Sequence, residues 1–293
     1  MIKHIYAGTG VAVVTPFRKD RSIDFNALDK LIKHIIKGGA NYLVVLGTTA
    51  ESVTLSKDEK NAVINYIKEI NNNKLPIVIG IGGNNTQEVV NNIKQQDFNG
   101  ISGILSVSPY YNKPSQTGLL RHYKNISTAC PVNVILYNVP GRTGGNISAE
   151  TVLKLAKDCE NIVAVKEASA NFDQIMEIIK HKPEGFAVIS GDDGLTLPLI
   201  SIGMDGVISV SANAYPDLMS NMVNNALKSN TKKARELHYK LLDFTNLIFA
   251  EGNPAGIKAA LEIKGIIQNY LRLPLTKVSR STYKKIEESI NII

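Results

Sequence analysis

The stretch Ile162–Val163–Ala164–Val165–Lys166–Glu167–Ala168 decides how this chain is read. Its apolar, mostly β-branched start suits a short buried strand, and a lysine follows directly. Comparable runs lie at Gly10–Val14, Tyr42–Leu46, Ile77–Ile81, Gly103–Val107, Val132–Tyr137, Phe186–Ser190 and Gly206–Val210. They recur about every 20 to 35 residues, separated by amphipathic segments. Phe25–Lys37 carries Leu28, Leu31, Ile32, Ile35 and Ile36 at helical spacing, and Asp58–Ile70 carries Val63, Ile64, Ile67 and Ile70. Ser56 and Glu59 form the S-x-x-E capping box of the second segment, and Ser148 with Thr151 nearby opens the segment after the fifth run.

Strand–helix alternation implies parallel crossovers, and eight such units close a sheet into a (β/α)8 TIM barrel. The structural rival is a doubly wound open sheet. That fold, when it binds a dinucleotide, places G-x-G-x-x-G after its first strand, whereas here Thr15–Pro16–Phe17 follows. After residue 212 the strand signal stops, and helical patterns follow at 213–228, 232–249 and 255–269. The expected organisation is a barrel over 1–224, carrying the active site, and a C-terminal helical extension over 225–293 with no flexible linker between them.

The length of 293 residues and the 44% apolar, 20% charged composition are those of an ordinary globular chain with a core large enough to need no disulfide or metal. No apolar run approaches the roughly 20 residues that span a bilayer, and the N-terminus leaves no room for a signal peptide. The two cysteines, Cys130 and Cys159, are too few for a disulfide framework, so a reducing cytoplasm is the simplest address. The net charge of +7 is concentrated late: residues 1–224 hold 21 basic against 20 acidic residues, and residues 225–293 hold 12 against 6. There the basic residues alternate with acidic and apolar ones, as on a solvated helix face. Arginine, the preferred base reader, numbers 7 against 26 lysines, and no recognition motif is present, so nucleic acid is not an expected partner. The histidines are scattered, with no H-E-x-x-H and no CxxC, so no metal and no cofactor are expected.

In a barrel of this kind the chemistry sits at the C-terminal ends of the strands. The second run ends in Gly47–Thr48–Thr49–Ala50–Glu51, whose hydroxyls and backbone N–H groups suit a carboxylate, although an ST-turn with a helix cap is the plainer reading. The fourth ends in Ser108–Pro109–Tyr110–Tyr111–Asn112–Lys113–Pro114, a stiff loop that offers phenols to a site, to a partner subunit or simply to packing. The fifth ends in Tyr137–Asn138–Val139–Pro140–Gly141–Arg142–Thr143–Gly144, with an arginine able to fork onto a carboxylate or merely to be solvated. Lys166, standing over apolar layers, would lose solvation and supply the neutral amine a Schiff base needs. With 26 lysines in the chain, chance alone could place one there. The seventh run ends in Ser190–Gly191–Asp192–Asp193, which suits substrate hydroxyls or a metal, with helix capping as the plain alternative for at least one aspartate. The eighth ends in Ile208–Ser209–Val210.

Together these five strand-end motifs, from the second, fourth, fifth, sixth and seventh runs, resemble the pyruvate-dependent Schiff-base lyases of the dihydrodipicolinate synthase and N-acetylneuraminate lyase superfamily, in order and spacing, from about residue 5 to 290. The Gly141–Arg142–Thr143–Gly144 loop and the Tyr110–Tyr111 pair look like the dihydrodipicolinate synthase branch. Sialic-acid lyases, acting on a neutral sugar aldehyde, usually lack that arginine. The resemblance implies the following roles. Lys166 is the nucleophile; Tyr137, Thr48 and Tyr111 form a proton relay, Tyr111 crossing from a second subunit; Thr49 with Thr48 holds the pyruvate carboxylate. Arg142 grips the carboxylate of L-aspartate 4-semialdehyde, and Gly191, Asp192 and Ile208 line the pocket. It also implies a homo-oligomer, commonly a tetramer built from dimers. In lysine-inhibited relatives a cavity at the dimer interface uses positions matching Ser52, Val53, Asn84, Glu88 and Tyr110, plus two positions often occupied by histidine that are Lys57 and Lys60 here. Two ammonium groups repel a third, so feedback by L-lysine is expected to be weak or absent. The alternative inside the enzyme class is another pyruvate aldolase, acting on N-acetylmannosamine or a 2-keto-3-deoxy sugar acid. A different class of reading is a non-catalytic barrel that binds a keto acid or a partner protein.

Overall fold

The computed structural model describes residues 4–293, so the first three residues of the expected 1–224 unit lie outside the described residues. Eight parallel strands close into a barrel in sequence order: β1 (Gly8–Ala12), β2 (Tyr42–Val45), β3 (Ile77–Gly80), β4 (Gly103–Val107), β5 (Asn133–Asn138), β6 (Ile162–Glu167), β7 (Ala187–Ser190) and β8 (Gly206–Ser209). Closure is made by β1 and β8, with Gly10 opposite Ile208. The helices are α1 (Phe25–Lys37), α2 (Lys57–Asn71), α3 (Thr86–Gln95), α4 (Gln116–Ala129), the single turn α5 (Pro140–Thr143), α6 (Ala149–Asp158), α7 (Phe172–His181), α8 (Thr196–Ser201), α9 (Pro216–Leu227), α10 (Thr231–Phe249), α11 (Ala255–Ile263) and α12 (Arg280–Ile292).

Both faces of a parallel sheet are covered, which is why the strands read as continuous apolar runs rather than alternating ones. Ile135, Leu136, Ala164 and Val165 are fully buried. Truncating one of the larger of these to alanine would cost about 2–5 kcal/mol. The helix starts follow their local chemistry. Ser56 Oγ accepts from Glu59 N at 3.2 Å while Ser56 N donates to the Glu59 carboxylate at 2.9 Å, completing the expected capping box of α2. Ser148 likewise caps α6 by accepting from Thr151 N at 3.2 Å.

Three differences from the sequence reading have physical causes. β1 ends at Ala12 instead of Val14, because the Val14 N–H is taken by the side chain of Asn213 at 3.2 Å. The pattern over 255–269 is a helix only to Ile263, since Gly265 adopts a left-handed φ of 69° and turns the chain away. The helix over Arg280–Ile292 was not foreseen, although Ser279 at its N-cap and Tyr283, Ile286 and Ile290 at helical spacing were available as signals. α9 runs across residue 225 and packs on α1, β1 and β8, closing the barrel's outer ring, and α10 then packs against α9, α11 and α12. No helix among the described residues is long and apolar enough to cross a membrane.

Candidate active site

The site grows from the register of β5 and β6. Tyr137 lies opposite Lys166 and Asn138 opposite Glu167, so side chains alternate between two neighbouring pairs. The second pair is fully engaged. The buried Glu167 carboxylate accepts from Asn138 Nδ2 at 3.0 Å, from Gln174 Nε2 at 3.0 Å and from Ser169 N at 2.8 Å. The first pair is not. Lys166 and Tyr137 are 6% and 7% exposed, and Lys166 Nζ sits 4.4 Å from the centroid of the Tyr137 ring. No carboxylate among the described residues pairs with this lysine.

Gly191, which follows β7, has a steric role. A Cβ at that position would come within 2.6 Å of Ala168 Cβ and 3.0 Å of Lys166 Cε, so only glycine leaves the lysine stem its place. Asp192 is partly committed to the fold, in the turn before α8 rather than as its N-cap, which is Leu195: its Oδ1 accepts from Leu195 N at 3.1 Å. Asp193 Oδ2 accepts from Val210 N at 2.9 Å and Ser211 N at 3.2 Å, and burial pushes its carboxyl above the usual carboxylate range. Ile208 is buried within β8, one residue before its end.

After β2 the chain forms a 3-10 turn over Thr48–Ala50, bracketed by Leu46 and Glu51 with left-handed φ of 59° and 53°. Such strain in non-glycine residues persists only where the surroundings over-determine it. Thr48 is exposed and Thr49 buried, and the first N–H groups of a turn of this kind find no partner inside it. A cavity of about 500 Å3 joins Thr48, Tyr137 and Arg142. Arg142 stands on α5, exposed, and among the described residues forms no salt bridge.

Ser52, Val53, Lys57, Lys60, Glu88 and Tyr110 also line this cavity. Asn84 is a strut instead: its Nδ2 donates to the Tyr110 carbonyl at 3.1 Å, while its own carbonyl accepts from Asn112 Nδ2 at 2.9 Å. Lys57 Nζ donates to Gln95 Oε1 at 2.7 Å. Tyr111 is held in a left-handed φ of 73° and is 89% exposed, outside its own chain's cavity.

One set of residues near the site was not foreseen. Lys258 of α11, completely buried, pairs with the equally buried Glu51, and Arg272 N donates to Glu51 Oε2 at 2.9 Å. The Arg272 guanidinium also pairs with Glu59 through both of its terminal nitrogens, which lowers the Glu59 carboxyl to about 2. Breaking one side of a buried ion pair costs about 3–5 kcal/mol. These partners stand more than 200 residues apart, and no local pattern announces them.

A barrel mouth that brings a buried, unpaired lysine against a tyrosine, beside a hydroxyl-bearing turn and a free arginine, defines the Schiff-base-forming lyases. The chain belongs to the dihydrodipicolinate synthetase family, whose pattern matches residues 6–293. It is 51% identical over 282 residues to the 4-hydroxy-tetrahydrodipicolinate synthase of Flavobacterium psychrophilum, covering 96% of each chain. It is 50% identical to the enzyme of the same name from Parabacteroides distasonis, over 96% of this chain and 95% of that one. Among solved structures it superposes on dihydrodipicolinate synthase from Thermotoga maritima with a TM-score of 0.96 and 39% identity, covering 98% of each chain. The barrel, the family and the enzyme class expected from the strand-end motifs are thereby borne out, and the expected activity is the one for which these relatives are named.

Proposed function

We propose that this chain condenses pyruvate with L-aspartate 4-semialdehyde to give 4-hydroxy-tetrahydrodipicolinate, with Lys166 as the nucleophile. The observation that carries the reading is Lys166 itself, buried at 6% exposure, without a salt bridge among the described residues and packed on the Tyr137 ring. The amine attacks the ketone carbon of pyruvate and water leaves, forming a protonated imine. That imine is an electron sink, so a methyl proton departs and an enamine remains. The pyruvate carboxylate rests on the hydroxyl and N–H groups of Thr48 and Thr49.

The enamine carbon then attacks the aldehyde, whose far carboxylate is forked by Arg142, with Gly191, Asp192 and Ile208 bounding the pocket. The amine of the semialdehyde adds to the imine carbon, closes the six-membered ring and expels Lys166. Every proton transfer needs a group that both donates and accepts, which hydroxyls supply. Tyr137 and Thr48, which share one cavity, serve as two members of that relay. Tyr111 is the third, offered to a neighbouring copy: a phenol 89% exposed on a strained loop suits a partner's site better than its own. A dimer is then the smallest active unit, and a tetramer built from two such dimers is the assembly we infer. No nucleic acid or membrane enters the reaction, and a cytoplasmic address fits its substrates.

The test is a coupled assay with pyruvate and L-aspartate 4-semialdehyde, following product through its reductase, on the wild type and on Lys166→Ala. Turnover in the wild type that falls by at least about 10^4-fold in the variant is the expected outcome. A well-folded wild type that turns over only sugar-derived aldehydes would overturn the choice of substrate.

A further inference from the structure

The turn carrying Thr48 and Thr49 is held from below by the C-terminal helices. Lys258 Nζ, buried in α11, donates to Glu51 and to the Tyr270 carbonyl, the latter at 2.9 Å, and it also lies 4.2 Å from the Phe17 ring centroid. Arg272 N donates to the other Glu51 oxygen at 2.9 Å, and its guanidinium donates to the Thr54 carbonyl at 2.8 Å. From the opposite side Thr15 Oγ1 donates to the Ala50 carbonyl at 2.8 Å. The left-handed φ of 53° at Glu51 is thus pinned through both its carboxylate oxygens.

Within this clamp one contact reaches a hydroxyl assigned to substrate. Asn253 Nδ2 donates to Thr49 Oγ1 at 2.9 Å. A hydroxyl has one proton and two acceptor sites. Asn253 fills an acceptor site, so the threonine's own proton is left to be given away, and no acceptor among the described residues takes it. A carboxylate only accepts. A donor at position 253 therefore sets the polarity that an anionic substrate needs, whereas an acceptor there would draw the threonine proton back into the protein.

We propose that Asn253 is a positioning residue for the keto acid: through its Nδ2, the one side-chain atom of Asn253 with a partner among the described residues, it orients the Thr49 hydroxyl as a hydrogen-bond donor to the substrate carboxylate. The inference rests on the reading of Thr48–Thr49 as the pyruvate site. It extends the site to the C-terminal helical segment, which touches pyruvate nowhere and acts through Thr49.

The experiment is a double-mutant cycle of Asn253→Asp and Thr49→Val on the full-length protein, reading KM for each substrate, kcat and the thermal midpoint. Aspartate matches asparagine in size but replaces the donor by an acceptor and adds a negative charge, so Asn253→Leu, similar in size with neither donor nor charge, is put through the same cycle. Asn253→Asp is expected to raise KM for pyruvate about 10-fold or more, as for a lost hydrogen bond to a charged group, with KM for the semialdehyde unchanged. In the Thr49→Val background Asn253→Leu is expected to add nothing, and Asn253→Asp only the repulsion of its charge. If Asn253→Asp does not fold, Asn253→Ala is put through the same cycle.

An Asn253 variant with wild-type KM for pyruvate, beside a Thr49→Val variant whose KM rises, overturns the positioning role alone. Full additivity of Asn253→Leu and Thr49→Val overturns it as well, since Asn253 would then act by another route. A Thr49→Val variant with unchanged KM for pyruvate removes the carboxylate site and the proposal together.

Discussion

Two regions of the same barrel mouth face their chemistry in opposite states. At β5 and β6 everything needed to seat Lys166 comes from this chain: Tyr137 beneath the amine, Gly191 leaving room for the stem, and the Asn138–Glu167–Gln174 bonds bracing the neighbouring register pair. At β4 the loop is equally well braced, through Asn84 and Asn112, yet it points its most exposed aromatic, Tyr111, away from its own cavity. On the proposed reading the nucleophile, which must be placed accurately, is seated within one chain. The relay would borrow its third hydroxyl from a neighbouring copy, which would tie activity to assembly.

This contrast breaks most directly at Tyr111. Tyr111→Phe removes only a hydroxyl that makes no hydrogen bond among the described residues, so turnover is expected to fall about 100-fold or more with the thermal midpoint unchanged. Unchanged turnover would return the relay to a single subunit. Mixing Tyr111→Phe with Lys166→Ala chains sharpens the point. Exchange into mixed dimers is expected to restore part of the activity, because one of the two sites then has both groups intact.

A smaller effect is expected at the mouth of the cavity. Arg142→Ala should lower kcat/KM for the semialdehyde about 10- to 100-fold, the worth of charge-assisted hydrogen bonds to one carboxylate, while KM for pyruvate stays put. Equal losses toward both substrates would mean that the arginine shapes the whole pocket rather than one end. Smaller again is the response to L-lysine. Lys57 and Lys60 line the cavity, and Glu88, which also lines it, offers a compensating charge. Half-inhibition is expected only at millimolar concentrations or above, and an inhibition curve saturating well below that would contradict the repulsion argument.

The smallest effect concerns the ties of the C-terminal segment. The Glu59 carboxyl is lowered to about 2 by the Arg272 guanidinium, against an ordinary value of 4.5. A carboxyl lowered by folding contributes stability that is complete above its unfolded value and is lost as pH falls through its folded one. Glu59→Gln is therefore expected to be less stable than wild type by about 1 kcal/mol or less at neutral pH, solvent screening this partly exposed pair, with the gap closing as pH falls below 4.5 and through about 2. Denaturant melts across that range would show the gap close; a constant gap would assign it to packing.

Much of the site is legible in the sequence because barrel chemistry collects at strand ends, and strand ends are local features. Lys166 is visible as the residue that interrupts Ile162–Val165, and Tyr137 as the aromatic at the end of its own run. The exposure of Tyr111 is not local information, and neither is the side chain of Asn213 that ends β1 two residues early. Asn253 and Lys258 were invisible for the same reason: their importance lies in contacts to Thr49 and Glu51, residues more than 200 positions away. A buried lysine in the middle of an apolar helix such as α11 was itself a clue, since such a residue demands a counter-charge. What the sequence lacked was the identity of that partner.

The account stands or falls on the amine of Lys166. Incubating the protein with pyruvate and sodium borohydride, then locating the reduced adduct by peptide mass spectrometry, reads it directly. The expected result is one pyruvate-derived modification, on Lys166, with turnover lost in proportion and no adduct in Lys166→Ala. An adduct on any of the other 25 lysines, or turnover that survives borohydride with pyruvate present, would contradict it.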